Sequence, residues 1–122
     1  MDGLRARGKE TIENLYGRDY DAVLSMLERL DERLADCAVG FAYGQVYNTL
    51  SLEPKTRELI MVSTLAALNY PDQMVTHVMA ARNAGATEKD LKDALLLIST
   101  VAGIPAVIEG MKRIRKVFGK SR

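Results

Sequence analysis

The chain has 122 residues, which is the usual size of one domain and too short for two comfortable ones. Its hydrophobic fraction of 48% and charged fraction of 27% are ordinary for a globular protein and exclude the composition of a disordered chain. The net charge of +1 provides no overall field that would favour nucleic acid or an anionic membrane as a partner.

The sequence offers no segment typical of secretion or of membrane insertion. The first eight residues contain no apolar run, and the longest uncharged apolar run, at 60–70, is shorter than the ~20 residues of a spanning helix. The single cysteine, Cys37, excludes an intrachain disulfide and fits a reducing compartment. We therefore expect a cytoplasmic protein that binds neither membrane nor nucleic acid.

Apolar residues recur with helical spacing along almost the whole chain, and no sustained alternation suggests a strand. The sequence predicts an all-α domain over 1–122, with a helical arm at 1–18 and a core at 19–122. The second helix has a predicted buried stripe of Val23, Leu24, Leu27 and Leu30. The predicted helices cover about 4–16, 19–30, 31–47, 54–68, 71–85 and 88–102, and a last one runs from the break at 103–105 to 118.

Two of these helices are apolar around much of their circumference. The helix at 54–68 carries large apolar side chains in every direction, and the region 95–107 is nearly as apolar. A chain of this length has few helices with which to cover both of them. We therefore expect association with further copies of the same chain.

The only histidine, His77, lies at the edge of a predicted apolar stripe formed by Met74, Val78 and Ala81. Gln73 lies one helical turn before it, and Tyr70 lies two turns before it. Two interpretations are open at this stage. His77 is either a histidine at the edge of the core that bonds a carbonyl group, or a proton donor in a chemical site.

Glu58 is the more unusual residue, because it shares a helix stripe with the apolar Val62 and Leu65. A carboxylate on a buried face costs several kcal/mol unless a partner compensates it. Arg57 on the same helix and His77 on the following helix are the two candidate partners. The pair so formed is either a structural ion pair or an acid–base couple.

Other kinds of site find little support in the sequence. Cys37 has no second cysteine to pair with, so we expect a buried, small apolar residue there. One histidine without a spaced acidic triad predicts no metal site, and no glycine-rich phosphate loop occurs, so we expect no cofactor. The basic residues near the C-terminus fit a helix end better than a nucleic-acid site. They are Lys112, Arg113, Arg115, Lys116, Lys120 and Arg122.

Four segments, in order, resemble the carboxymuconolactone decarboxylase family: Phe41–Tyr47, Leu52–Ile60, His77–Gly85 and Ala102–Ala106. The resemblance implies an all-α fold with a central helical hairpin, assembled as a trimer or a hexamer. Glu58 and His77 match the positions at which the family relays protons.

The family has two chemical branches, and the residues before His77 separate them. Relatives similar to alkylhydroperoxidase D carry a Cys-x-x-Cys pair there, whereas this chain has Tyr70 and Gln73. Neither residue can form a thiolate, so the dithiol peroxidase branch is disfavoured.

The resemblance therefore implies a decarboxylase or related lyase that needs no metal or organic cofactor and acts on a small anionic lactone or acid. His77 would deliver a proton with Glu58 as its partner, while Arg57, Tyr70, Gln73 and Arg82 would bind the substrate. A non-catalytic oligomeric scaffold or ligand-binding module of the same fold is the alternative. Decarboxylase relatives commonly have a glutamate where this chain has Gln73. A substrate other than that of the decarboxylases therefore stays an open alternative for this chain.

Overall fold

A computed structural model describes the backbone of residues 2–119 and the side chains of residues 3–119. Over this range the chain is helical and contains no strand, which confirms the predicted all-α class. The chain divides into two compact units, Met1–Ser51 and Leu52–Arg122. The single domain with an arm at 1–18 stays a prediction.

The first unit is built from helices that follow one another closely. Helix α1 (Asp2–Tyr16) is followed by a 3₁₀ turn (Gly17–Asp19), α2 (Tyr20–Leu30) and α3 (Glu32–Ala35), and α3 leads without a break into a π-helix (Asp36–Val46) and α4 (Tyr47–Thr49). The helical stretch predicted to end at 47 therefore continues to Thr49. The side-chain amide of Asn48 donates to the carbonyl of Gly44 at 2.9 Å, and the Thr49 hydroxyl donates to that of Val46 at 2.8 Å. These bonds satisfy carbonyl groups at the end of the helix.

Helix α1 packs against the π-helix so closely that two glycines are required. A Cβ atom on Gly8 would overlap the carbonyl of Val39, and one on Gly44 would overlap the carbonyl of Leu4. The Arg5 guanidinium of α1 also pairs with Glu28 of α2, at 2.8 Å, and with Asp36 at the start of the π-helix. Ile12 of α1 is fully buried in this unit.

Two burial predictions in this unit are wrong. Leu30 is 67% exposed because α2 ends there and Asp31 continues with extended backbone, so that nothing covers the last turn. Cys37 is exposed rather than buried. The buried positions 39 and 40 lie four and five residues after 35, and position 44 lies five and four residues after them, as the wider π-helical turn requires. Position 37 falls on the opposite side.

The second unit contains α5 (Pro54–Leu68), α6 (Pro71–Asn83), α7 (Glu88–Ala102) and α8 (Ile104–Phe118), in agreement with the predicted helices. Only Asn69 and Tyr70 join α5 to α6, and Asn69 adopts the left-handed conformation with φ 67°. Such a short connection makes α5 and α6 an antiparallel hairpin. The buried core includes Val62, Ala66, Met74, Val78, Ala81, Ala86, Leu91, Leu95, Val107 and Ile114.

The break between α7 and α8 falls where the sequence predicted it. Gly103 has φ 87°, which an L side chain rarely adopts, and Pro105 lies in the first turn of α8. The helices on both sides of this break carry the most exposed aliphatic residues of the unit. Leu97 is 72% exposed, Val101 86% and Ile104 60%.

The apolar helix α5 is also incompletely covered. Ile60 is 49% exposed and Leu68 is 60% exposed. Within residues 2–119, no helix combines the length and the apolar character needed to cross a membrane.

Candidate functional site

Glu58 lies on the face of α5 that is buried in the core. Val62 and Ala66 follow it at intervals of four residues and are buried with it, and Glu58 itself has no exposed surface. The prediction of a buried carboxylate is confirmed. A group so placed requires hydrogen-bond donors close to both of its oxygens.

His77 supplies the first contact from the facing helix of the hairpin. Its Nδ1 lies 2.8 Å from Oε1 of Glu58, and the histidine is 7% exposed. The neighbouring Met74, Val78 and Ala81 are buried, as the sequence predicted for the stripe beside it. The two predicted catalytic residues are therefore in direct contact.

Arg57 supplies the second contact. Its Nε donates to Oε2 of Glu58 at 3.1 Å, and the arginine side chain is 16% exposed. The sequence analysis treated Arg57 and His77 as alternative partners, whereas the structure has both. Adjacent helix residues normally point ~100° apart, so helical spacing gave no signal for this contact.

The second ring nitrogen of His77, Nε2, is the accessible atom of this cluster. It makes no hydrogen bond to any residue of the described chain, and it is not among the buried polar atoms that lack a partner. Nε2 therefore reaches solvent, consistent with the 9% exposure of the histidine side chain. A proton can enter or leave the pair at this atom.

The beginning of α5, from which Arg57 and Glu58 project, is tied to the beginning of α7. Lys55 contacts Oδ2 of Asp90 at 2.9 Å. Asp90 also accepts from the backbone N–H of Thr87, while its own N–H donates to the Thr87 hydroxyl, so α7 begins with a complete capping box. The hydrogen bond from the Thr87 N–H, and to a smaller extent the contact with Lys55, lowers the pKa of Asp90 from 3.8 to about 2.

The other predicted substrate-binding residues do not bond the pair. Tyr70 is 53% exposed and borders a small depression with Met74 and Gly110, while Gln73 is exposed one turn before His77. Arg82 donates to the carbonyl of Val117 at 3.2 Å and lies over the Phe118 ring. Its guanidinium therefore contacts the end of α8, and of the four predicted residues only Arg57 forms a hydrogen bond or an ion pair with Glu58 or His77.

Two other expectations concern ligands outside this cluster. Within residues 2–119, no group of three or more His, Cys, Asp or Glu side chains is arranged to hold a metal ion. Of the basic residues near the C-terminus, Lys112 and Arg113 form ion pairs with Glu109 on the same helix. Lys120 and Arg122 lie outside the described residues.

Comparison with known proteins identifies the family. Residues 32–115 match the model of the carboxymuconolactone decarboxylase family, and this region is more than half of the chain. The chain belongs to the carboxymuconolactone decarboxylase family. The matched region contains Glu58, His77 and Arg57, so the cluster lies within the part that defines the membership.

This member of the decarboxylase family is similar to two curated proteins over much of its length. The chain is 36% identical over 78 residues to a 4-carboxymuconolactone decarboxylase of Acinetobacter baylyi, which covers 64% of this chain and 58% of the relative. It is 31% identical over 103 residues to Peroxisomal protein 2 of Schizosaccharomyces pombe, which covers 80% of this chain and 48% of the relative. The chain thus spans about half the length of each relative.

We predict that Asp90→Asn reduces stability in a pH-dependent way. Because the folded-state pKa is about 2, below the usual 3.8, the ionised carboxylate stabilises the fold above pH 3.8. That contribution is lost as the pH falls from 3.8 to about 2. The urea midpoint of the variant should lie below that of the wild type at pH 6, and the difference should vanish near pH 2.

Asp93→Asn is the matched control, because Asp93 lies on the same helix and pairs with the exposed Lys89. It reports the general effect of removing one negative charge from α7. A gap between wild type and Asp90→Asn that stays constant from pH 6 to pH 2 would contradict the role given to Asp90.

Proposed function

We propose that the chain is a cofactor-independent decarboxylase, or a related lyase, that acts on a small anionic lactone or acid. Membership of the family and the similarity to a 4-carboxymuconolactone decarboxylase support this class of reaction. The observation that carries the proposal is the 2.8 Å contact between Glu58 and His77, with Nε2 of the histidine left accessible. Such a pair can deliver a proton without a metal.

The proposed reaction needs one proton. When the bond between the carboxylate carbon and the substrate breaks, carbon dioxide leaves and the electron pair stays on the substrate. A conjugated lactone can delocalise that pair until a proton is added. His77, protonated on both nitrogens, would give the proton at Nε2, and water would restore it afterwards.

Glu58 would stabilise the charged ring during this cycle. A carboxylate that accepts the Nδ1–H bond favours the imidazolium form, and it fixes the ring orientation. Arg57 donates to the other oxygen of Glu58, so that both carboxylate oxygens have a donor. The contacts of Tyr70, Gln73 and Arg82 described above give no support for a direct part in binding.

A non-catalytic role of the same pair is the second candidate. Glu58 has no exposed surface and the His77 side chain is only 9% exposed, which favours a tie between α5 and α6. A buried pair of this kind can fix helix register in an oligomeric scaffold or a ligand-binding module. Dithiol peroxidase chemistry is the least supported, because Cys37 is the only cysteine.

We expect the purified chain to release carbon dioxide from 4-carboxymuconolactone. The variants His77→Ala and Glu58→Gln should each lower the turnover by about 100-fold or more, which is the scale of general acid–base catalysis. Both variants should remain folded by circular dichroism. Lys89→Gln, an exposed change on α7, is the control and should retain wild-type turnover.

Wild-type-like turnover in either variant would remove the proposed roles of the two residues. If the wild type shows no turnover and the same substitutions only lower the melting temperature, the scaffold is the better description.

We further propose that copies of the chain associate through the helices around Gly103, here called the elbow surface: Leu96, Leu97, Val101, Ile104 and Ile108. These five side chains are between 49% and 86% exposed. Residues 94–108 contain no charged side chain, so a complementary apolar surface is the suitable partner, and a second copy supplies one. We propose that this assembly is a trimer or a hexamer. We also propose that the protein is cytoplasmic.

We expect Val101→Glu to dissociate the assembly, because a carboxylate would be buried without a partner at the centre of the elbow surface. Light scattering during gel filtration should give a multiple of the chain mass for the wild type and a smaller mass for the variant. Ser51→Glu adds the same charge at an exposed position outside this surface and is the control. A monomeric wild type would reject the proposal.

A further inference from the structure

Both carboxylate oxygens of Glu58 are engaged by neighbouring side chains. Oε1 lies 2.8 Å from His77 Nδ1, and Oε2 lies 3.1 Å from Arg57 Nε. Since Glu58 has no exposed surface, neither oxygen is open to a substrate or to bulk water. A proton can therefore reach the outside of this cluster at the histidine but not at the glutamate.

The neutral ring of His77 can face Glu58 in two arrangements that differ by one proton. With a single proton, on Nδ1, Glu58 is a carboxylate and Nε2 is a base. With a second proton taken up from solvent, so that Oε1 and Nε2 each carry a hydrogen, Glu58 is a carboxylic acid and Nε2 is a donor. The two arrangements reverse the role of Nε2, so the group that selects between them determines what the site can do.

Arg57 is the group that distinguishes these arrangements. Its guanidinium is always charged and donates to Oε2, so a carboxylate is a better partner for it than a neutral acid. A proton placed on Oε2 itself would meet the Nε–H group of the arginine. The contact therefore favours the arrangement with the proton on Nδ1.

We propose that Arg57 is a positioning residue: it holds Glu58 as a carboxylate, so that His77 keeps a proton on Nδ1 and exchanges protons only at Nε2. Glu58 then acts as a fixed acceptor rather than as a relay. Arg57 acts through Glu58 rather than as a substrate ligand. The catalytic consequence rests on the proposed decarboxylase function, whereas the tautomer of His77 does not.

The position of the proton can be measured directly because His77 is the only histidine. In protein labelled with ¹⁵N at histidine, two nitrogen shifts report which ring nitrogen is protonated, without overlap from another residue. At a pH where the ring is neutral, we expect the wild type to show a protonated Nδ1 and an unprotonated Nε2.

We expect Arg57→Gln to shift the tautomer ratio towards Nε2–H by about tenfold or more, the scale expected on removal of an adjacent opposite charge. Arg57→Lys keeps the charge and should retain most of the wild-type ratio. Arg113→Gln removes a similar cation, paired with Glu109 on α8, and should leave the ratio unchanged. A wild-type ring with its proton on Nε2, or an unchanged ratio in Arg57→Gln, would overturn the inference.

Kinetics with 4-carboxymuconolactone provide the second measurement. A positioning role predicts that Arg57→Gln lowers kcat by about 10- to 100-fold, a part of what a positioned proton donor contributes, with little change in KM. A raised KM with unchanged kcat would mean that Arg57 binds substrate and would overturn the inference. Because the spectra require no substrate, an inactive wild type with the expected tautomer would reject the proposed function alone.

Discussion

The structure of the second unit depends on the burial of one carboxylate. Glu58 lies on the buried face of α5 with no exposed surface, in line with the apolar Val62 and Ala66. An ionised group in such a place is tolerated only when hydrogen-bond donors replace the water that it loses. The hairpin provides one donor from the facing helix, His77, and one from the same helix, Arg57. The contact with His77 requires α5 and α6 to keep one register.

The burial of Glu58 also determines which atom of the cluster can exchange protons. A histidine bonded at Nδ1 by a buried carboxylate is fixed in orientation, and its accessible atom is Nε2. The contact between Lys55 and Asp90 and the capping box of α7 hold the beginning of α5, from which Glu58 and Arg57 project. The membership of the carboxymuconolactone decarboxylase family and this arrangement of acid–base groups both support the proposed function.

Much of this was predictable from the sequence, because the relevant patterns are local. Helical periodicity with Pro54 and Pro71 at helix starts located the hairpin, and a carboxylate in an apolar stripe identified Glu58. The errors have physical reasons. Cys37 was predicted to be buried from its residue type alone, whereas the π-helix turns position 37 away from the buried positions. Arg57 was treated as an alternative because no spacing rule brings adjacent helix residues together. Arg82 could not be placed because its contacts, Val117 and Phe118, are distant in sequence.

The most direct test of this account is the coupling energy between Glu58 and His77. Urea unfolding of the wild type, Glu58→Gln, His77→Asn and the double variant forms a double-mutant cycle that isolates their interaction. A buried hydrogen bond to a charged group predicts a coupling of about 1.5–3 kcal/mol. Additive effects, with a coupling below ~0.5 kcal/mol, would contradict the claim that these two side chains hold α5 and α6 together.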